Sequence, residues 1–149
     1  MARAVFDQVN IVGRDPAASV AFYRRLGVEI PEARVWGTKT GIHHVSALPA
    51  TKDAADLDID SAAFAQLWNT GWRGRNDLAG RVVIGFKLET REAVDAAYAE
   101  ATGAGHQGLQ PPCDAFWGAR YAIVEDPDGI AVGLMSSIDR TRKTAPPEV

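Results

Sequence analysis

Residues 15–27 read "DPAASVAFYRRLG" and residues 90–103 read "TREAVDAAYAEATG", two stretches 75 residues apart and built to one plan. Each follows a short apolar run, "QVNIVG" at 8–13 and "VVIGFKL" at 82–88, and Tyr23 and Tyr98 fall at the same offset in the two copies. A strand leading into an amphipathic helix, used twice, predicts two copies of one supersecondary unit. Asp15 and Thr90 stand where each helix begins, as oxygen-bearing caps for the unpaired N–H groups of the first turn. Pro16 takes the first helical position, where a missing N–H costs nothing. Ala18, Phe22, Tyr23 and Leu26 form the apolar stripe of the first helix, and Val94, Ala97, Tyr98 and Ala101 that of the second. Gly27 and Gly103–Gly105 end them.

Strand periodicity extends the pattern outward. Residues 6–13 alternate, with Val9 and Ile11 on one face and Gln8, Asn10 and Val12 on the other. Residues 28–60 predict three strands with turns near Gly37 and Pro49. The clearest is "DLDIDS" at 56–61, with Leu57 and Ile59 on one face and Asp56, Asp58 and Asp60 on the other. Val82, Ile84, Phe86 and Leu88 share a face of the strand that opens the second copy, opposite Val83, Gly85 and Lys87. After a loop containing Pro111–Pro112, "ARYAIVE" and "IAVGLM" predict a hairpin across Asp126-Pro127-Asp128-Gly129. Residues 61–80 are a connector that begins helical ("SAAFAQLW") and ends as a Gly-rich polar loop. Residues 139–149 are polar and proline-bearing, and predict a flexible tail. The fold class is therefore α+β, one domain over residues 1–138 made of two modules at about 5–60 and 81–136.

At 149 residues the chain can bury a core without staples. Its net charge of −3 gives no electrostatic case for nucleic acid. There is no apolar stretch long enough for a signal peptide or a membrane span, and Cys113 is the single cysteine, so a cytoplasmic, disulfide-free protein is expected.

The strand carrying "QVNIVGRD", the helix "AFYRRLG" and the stretch "FWGARYAIVEDPDGIAVGLM" at 116–135 resemble the vicinal oxygen chelate superfamily. That group includes glyoxalase I, bleomycin-resistance proteins, extradiol dioxygenases and fosfomycin-resistance enzymes. The resemblance covers about residues 5–138. It implies paired βαβββ modules whose curled, mixed sheets surround a cavity, and a homodimer. Metal-dependent members place histidine on the first strand of a module and glutamate on the last. The matching positions here are Gln8 and Asp58 in the first module, Val83 and Gly133 in the second. Valine and glycine offer no side-chain ligand, so neither a metal nor another cofactor is expected. His43 and His44 are adjacent on a strand and point to opposite faces, and His106 follows the second helix. A displaced metal site built from them is the remaining metal-bearing alternative.

Two readings of function stand. In the first, the protein binds a small aromatic or hydrophobic molecule without metal, in the manner of drug sequestration. Trp68, Trp72 and Trp117 serve as stacking walls, with Gln8, Asp58, Val83, Arg120 and Gly133 lining the cavity. In the second, an enzyme of the same fold works without metal, with Asp58 as base and Gln8 or Arg120 polarising the substrate. Strand parity assigns Arg120 and Lys87 to the cavity face, where they can pair with Asp58 or an anionic ligand. Cys113 has no sequence neighbour that would activate its thiol.

Overall fold

The computed structural model describes residues 8–52, 54–68 and 82–145. The chain divides into two compact units, Met1–Asn76 and Asp77–Val149. The first contains strand β1 (Gln8–Gly13), helix α1 (Pro16–Arg25), strands β2 (Val35–Thr38), β3 (Gly41–Ser46) and β4 (Asp56–Ser61), and a short helix α2 (Ala62–Trp68). The second contains β5 (Val83–Lys87), α3 (Arg91–Gly103), β6 (Gly108–Asp114), β7 (Arg120–Glu125) and β8 (Ala131–Met135). The two sheets have the same topology, β1-β4-β3-β2 and β5-β8-β7-β6. In each, the first strand of the module pairs parallel with the last, and the other two add antiparallel. Gln8 lies opposite Asp56 and Val83 opposite Ala131, so the 75-residue offset holds in both paired strands at once. These are two βαβββ modules with unclosed mixed sheets, an α+β fold.

The local signals explain the elements. Asp15 Oδ1 accepts from the backbone N–H groups of Ala17 and Ala18 at 3.0 and 3.2 Å, and Thr90 Oγ1 from that of Ala93 at 3.1 Å. Gly27, at φ 86°, ends the first helix in the left-handed conformation that a side chain resists. Phe22 and Tyr23 of α1 are fully buried, edge to face, with Ile11, Val45 and Ile59 of the sheet in the same core. In the second unit Val94 and Ala101 of α3 share the core with Ala122, Val124, Val132 and Leu134. Ala97 and Tyr98, expected in that stripe, are only half-buried. Each sheet thus has a helix-covered face and an opposite, open face.

Several expectations need correction. The turn expected near Gly37 lies at Lys39–Thr40; Gly37 belongs to β2 and sits at a register shift. Pro111 and Pro112, expected in a loop, lie within β6. This is an edge strand whose register slips between Gln110 and Cys113, so the missing N–H groups interrupt no interior ladder. The sequence reading missed this strand because proline signals a loop. Residues 139–145, expected as the start of a flexible tail, carry a 3₁₀ turn (Arg140–Arg142) tied to the unit. The Asp139 N–H donates to Gly118 C=O at 3.0 Å and the Thr144 N–H to Phe116 C=O at 2.9 Å. No helix among the described residues is long and apolar enough to cross a membrane.

Gly118 makes that attachment possible. Its φ is 94°, and a Cβ there would come within 2.3 Å of the Asp139 carbonyl oxygen, a backbone atom that cannot swing away. Gly118→Ala should destabilise the protein by about 1–3 kcal/mol. Urea unfolding should show a lower midpoint with an unchanged slope; an unchanged midpoint would contradict the close approach.

Candidate functional site

The open face of the second sheet carries an aromatic cleft. Tyr121 and Ile123 of β7 project onto it, with Cys113 and Gln110 from β6 alongside. Phe116 and Trp117, in the connection between β6 and β7, complete it. Trp117 meets Tyr121 at 5.3 Å between ring centroids and Phe116 at 5.0 Å, both edge to face, an arrangement that rings adopt for their quadrupoles. The cleft has a volume of about 520 Å³, in the range of small-molecule sites. Gly133 and Val83 support it from below. A Cβ at Gly133 would lie 2.8 Å from the Tyr121 hydroxyl and 3.3 Å from Val83 Cγ1, so the missing side chain is what gives the Tyr121 ring its place.

Arg120 does not join this face. Ile123 lies opposite Gly133, so Arg120, an odd number of residues away, projects to the helix-covered side. There its guanidinium donates to Asp95 of α3 at 2.8 Å and to Asp114 of β6 at 3.0 Å. The hydrogen bond from Arg120 holds the Asp114 carboxyl below its ordinary range; Asp95, then Asp114, raises that of Arg120. A lowered carboxylate value means that this tie contributes fully above the ordinary carboxylate range and is lost as pH falls through the lowered value. Arg120 is a structural link from helix to sheet. Lys87 shares the parity of Val83 and is exposed at the end of β5. Trp68 ends α2 in the first unit, about half exposed, and Trp72 lies outside the described residues. Of the two expected stacking walls within the described residues, Trp117 meets aromatic partners, Phe116 and Tyr121, which were not singled out in the sequence.

The open face of the first sheet is polar. Asp60 is 1% exposed, so the acidic face of "DLDIDS" is not a solvated one. Its Oδ2 accepts from Asn10 Nδ2 at 2.9 Å and its Oδ1 is 2.5 Å from His44 Nδ1. Removing a carboxylate from water costs several kcal/mol, and these two bonds offset it. Asp58 accepts from the Ser46 hydroxyl at 2.5 Å, and Gln8 donates to Asn10 Oδ1 at 2.7 Å. His43 points the other way, as adjacent strand residues must. Its Nδ1 lies 2.9 Å from Ser61 Oγ and its Nε2 2.8 Å from Thr40 Oγ1, so both ring nitrogens are engaged. The Phe64 ring of α2 stands 5.6 Å from His44 and 5.5 Å from Trp36 of β2.

These residues do not fit a metal of the kind the fold family uses. Among the described residues no three His, Cys, Asp or Glu side chains converge to hold an ion. At Gly133 the space a ligand would need is taken by Tyr121 and Val83. Asp58 and Gln8 are bonded to Ser46 and Asn10, and His43, His44 and His106 supply no displaced cluster.

Residues 5–134 match the family described as the Glyoxalase/Bleomycin resistance protein/Dioxygenase superfamily. Solved structures with the same fold include a glyoxalase/bleomycin resistance protein/dioxygenase family enzyme from Burkholderia phytofirmans PsJN, at 19% identity and TM-score 0.70, covering 89% of this chain and 98% of that one. A glyoxalase-related enzyme from Fulvimarina pelagi matches at 17% identity and TM-score 0.69, covering 89% and 88%. TioX from Micromonospora sp. ML1 matches at 19% and 0.56, covering 89% and 98%. At such identities the likeness is one of fold. A comparison with curated proteins finds no match.

Asp60 and His44 should depend on each other. His44→Ala leaves a buried carboxylate short of a donor and should cost about 1–3 kcal/mol. The double variant Asp60→Leu/His44→Leu removes both partners together and should cost less. Urea unfolding of both variants decides this; a double variant less stable than His44→Ala would contradict it.

Proposed function

The chain belongs to the glyoxalase/bleomycin resistance protein/dioxygenase superfamily, and from that premise we propose that it is a metal-independent small-molecule binding protein. The ligand is a planar aromatic or hydrophobic molecule held in the cleft of the second unit. The observation that carries this reading is the edge-to-face group Phe116, Trp117 and Tyr121 around one open volume. Aromatic walls give a flat ligand a large contact area at little entropic cost, and the Tyr121 hydroxyl and Gln110 amide can orient its polar groups. Sequestration of a drug-like compound in the cytoplasm is the role this binding would serve, and the single cysteine suits that compartment. Asp58 as a catalytic base is the weaker reading, because one of its oxygens already accepts a close hydrogen bond from Ser46.

The protein forms a homodimer in this proposal. Each unclosed sheet has two edge strands, β1 and β2 or β5 and β6, and two-fold assembly is the commonest way to cover such edges.

Planar hydroxylated aromatics should bind with quenching of tryptophan fluorescence, to the same extent with a chelator present. Trp117→Ala should weaken binding by about 1–2 kcal/mol, roughly five- to thirty-fold in affinity. Thermal unfolding run beside it excludes general damage. A folded Trp117→Ala protein that binds like wild type, or a wild type that binds no compound of the panel, would overturn the assignment. Light scattering coupled to gel filtration should give twice the chain mass; a mass near 16.0 kDa would rule out the dimer.

A further inference from the structure

The two units share one framework, yet their open faces carry opposite chemistry. Offsets in the paired strands match Gln8, Asn10, Asp58 and Asp60 of the first with Val83, Gly85, Gly133 and Met135 of the second. On the neighbouring strand His44 and Ser46 match Tyr121 and Ile123. Because the second unit forms the same sheet with Met135 at the position of the buried Asp60, the architecture does not require the polar set. A buried ionic group that the fold can dispense with marks a site.

We propose that the open face of the first sheet is a second binding site, in which His44 accepts a proton from the weakly acidic hydroxyl of a neutral planar ligand. Asp60 accepts only, when ionised, so the proton between them belongs to His44 Nδ1, and in the neutral ring Nε2 then carries the lone pair. His44 is 34% exposed on a fully buried partner, which fixes the ring while leaving its far edge open. Among the described residues no polar group bonds Nε2. Phe64 of α2, with its ring 5.6 Å from that of His44, supplies a flat apolar wall beside it. In the transfer the ligand's O–H bond breaks, the Nε2–H bond forms, and the imidazolium is stabilised by the carboxylate of Asp60. The charged groups on this face are Asp56, Asp58 and Asp60, so an already anionic ligand is repelled and a neutral phenol-like one is admitted.

The test uses the full chain with 4-nitrophenol, below that compound's own pKa, and with 4-nitroanisole, the same ring without an acidic proton. Wild type should bind 4-nitrophenol at least about ten-fold more tightly than 4-nitroanisole and develop the yellow phenolate band on binding. His44→Gln should fold, lose that band and lose the preference. Nitrogen NMR of wild type should find His44 protonated at Nδ1 and not at Nε2, a readout that needs no ligand and no variant. The proposal is overturned by a preference that survives His44→Gln. It is equally overturned by wild type that binds neither compound, or by a His44 protonated at Nε2.

Discussion

The parallel pairing of the first and last strands of each module is the constraint on which the rest depends. A parallel pair cannot be joined by a tight turn, so the chain must travel out through a helix and two further strands before it returns. The helix on that excursion covers one face of the sheet. The other face stays open, and the residues that look onto it are fixed by register alone: Gln8 with Asp56 and Asn10 with Asp58 in one module, Val83 with Ala131 and Gly85 with Gly133 in the other. Local signals serve this pairing. The caps at Asp15 and Thr90 start each helix where the strand has just ended, and Gly27 stops the first before it overshoots.

Repeating the frame frees the two open faces to diverge. In the first module the face is held together by hydrogen bonds, with Asp60 buried between Asn10 and His44. In the second it is held together by ring packing, with Tyr121 lying over Gly133 and against Trp117. Glycine at 133, a position where the resemblance implies a metal ligand, leaves room for the Tyr121 ring.

Much of the frame was legible because it rests on short-range rules: the period-2 alternation of "DLDIDS", the caps and the turn at Gly129. The 75-residue repeat supplied the rest. Less of the site was legible, for two physical reasons. Pro111 and Pro112 signalled a loop, so β6 was missed, and without β6 the cleft has no side. Parity was also carried one residue too far at the β7 start, which placed Arg120 on the open face in place of Tyr121. Cross-strand partners decide such cases, and the pairing of Ile123 with Gly133 is a tertiary fact. Likewise nothing local in "GIHHVS" distinguishes His43, tied at both nitrogens, from His44, tied at one.

The central claim is that the cleft of the second unit accepts a planar ligand without the help of a metal. Its most direct test is NMR of the Trp117 indole N–H during titration with a planar hydroxylated aromatic, in the presence of a strong chelator. A saturable shift of that resonance is the predicted result. A Trp117 resonance that stays fixed throughout, or that moves only when a divalent ion is restored, would contradict the account.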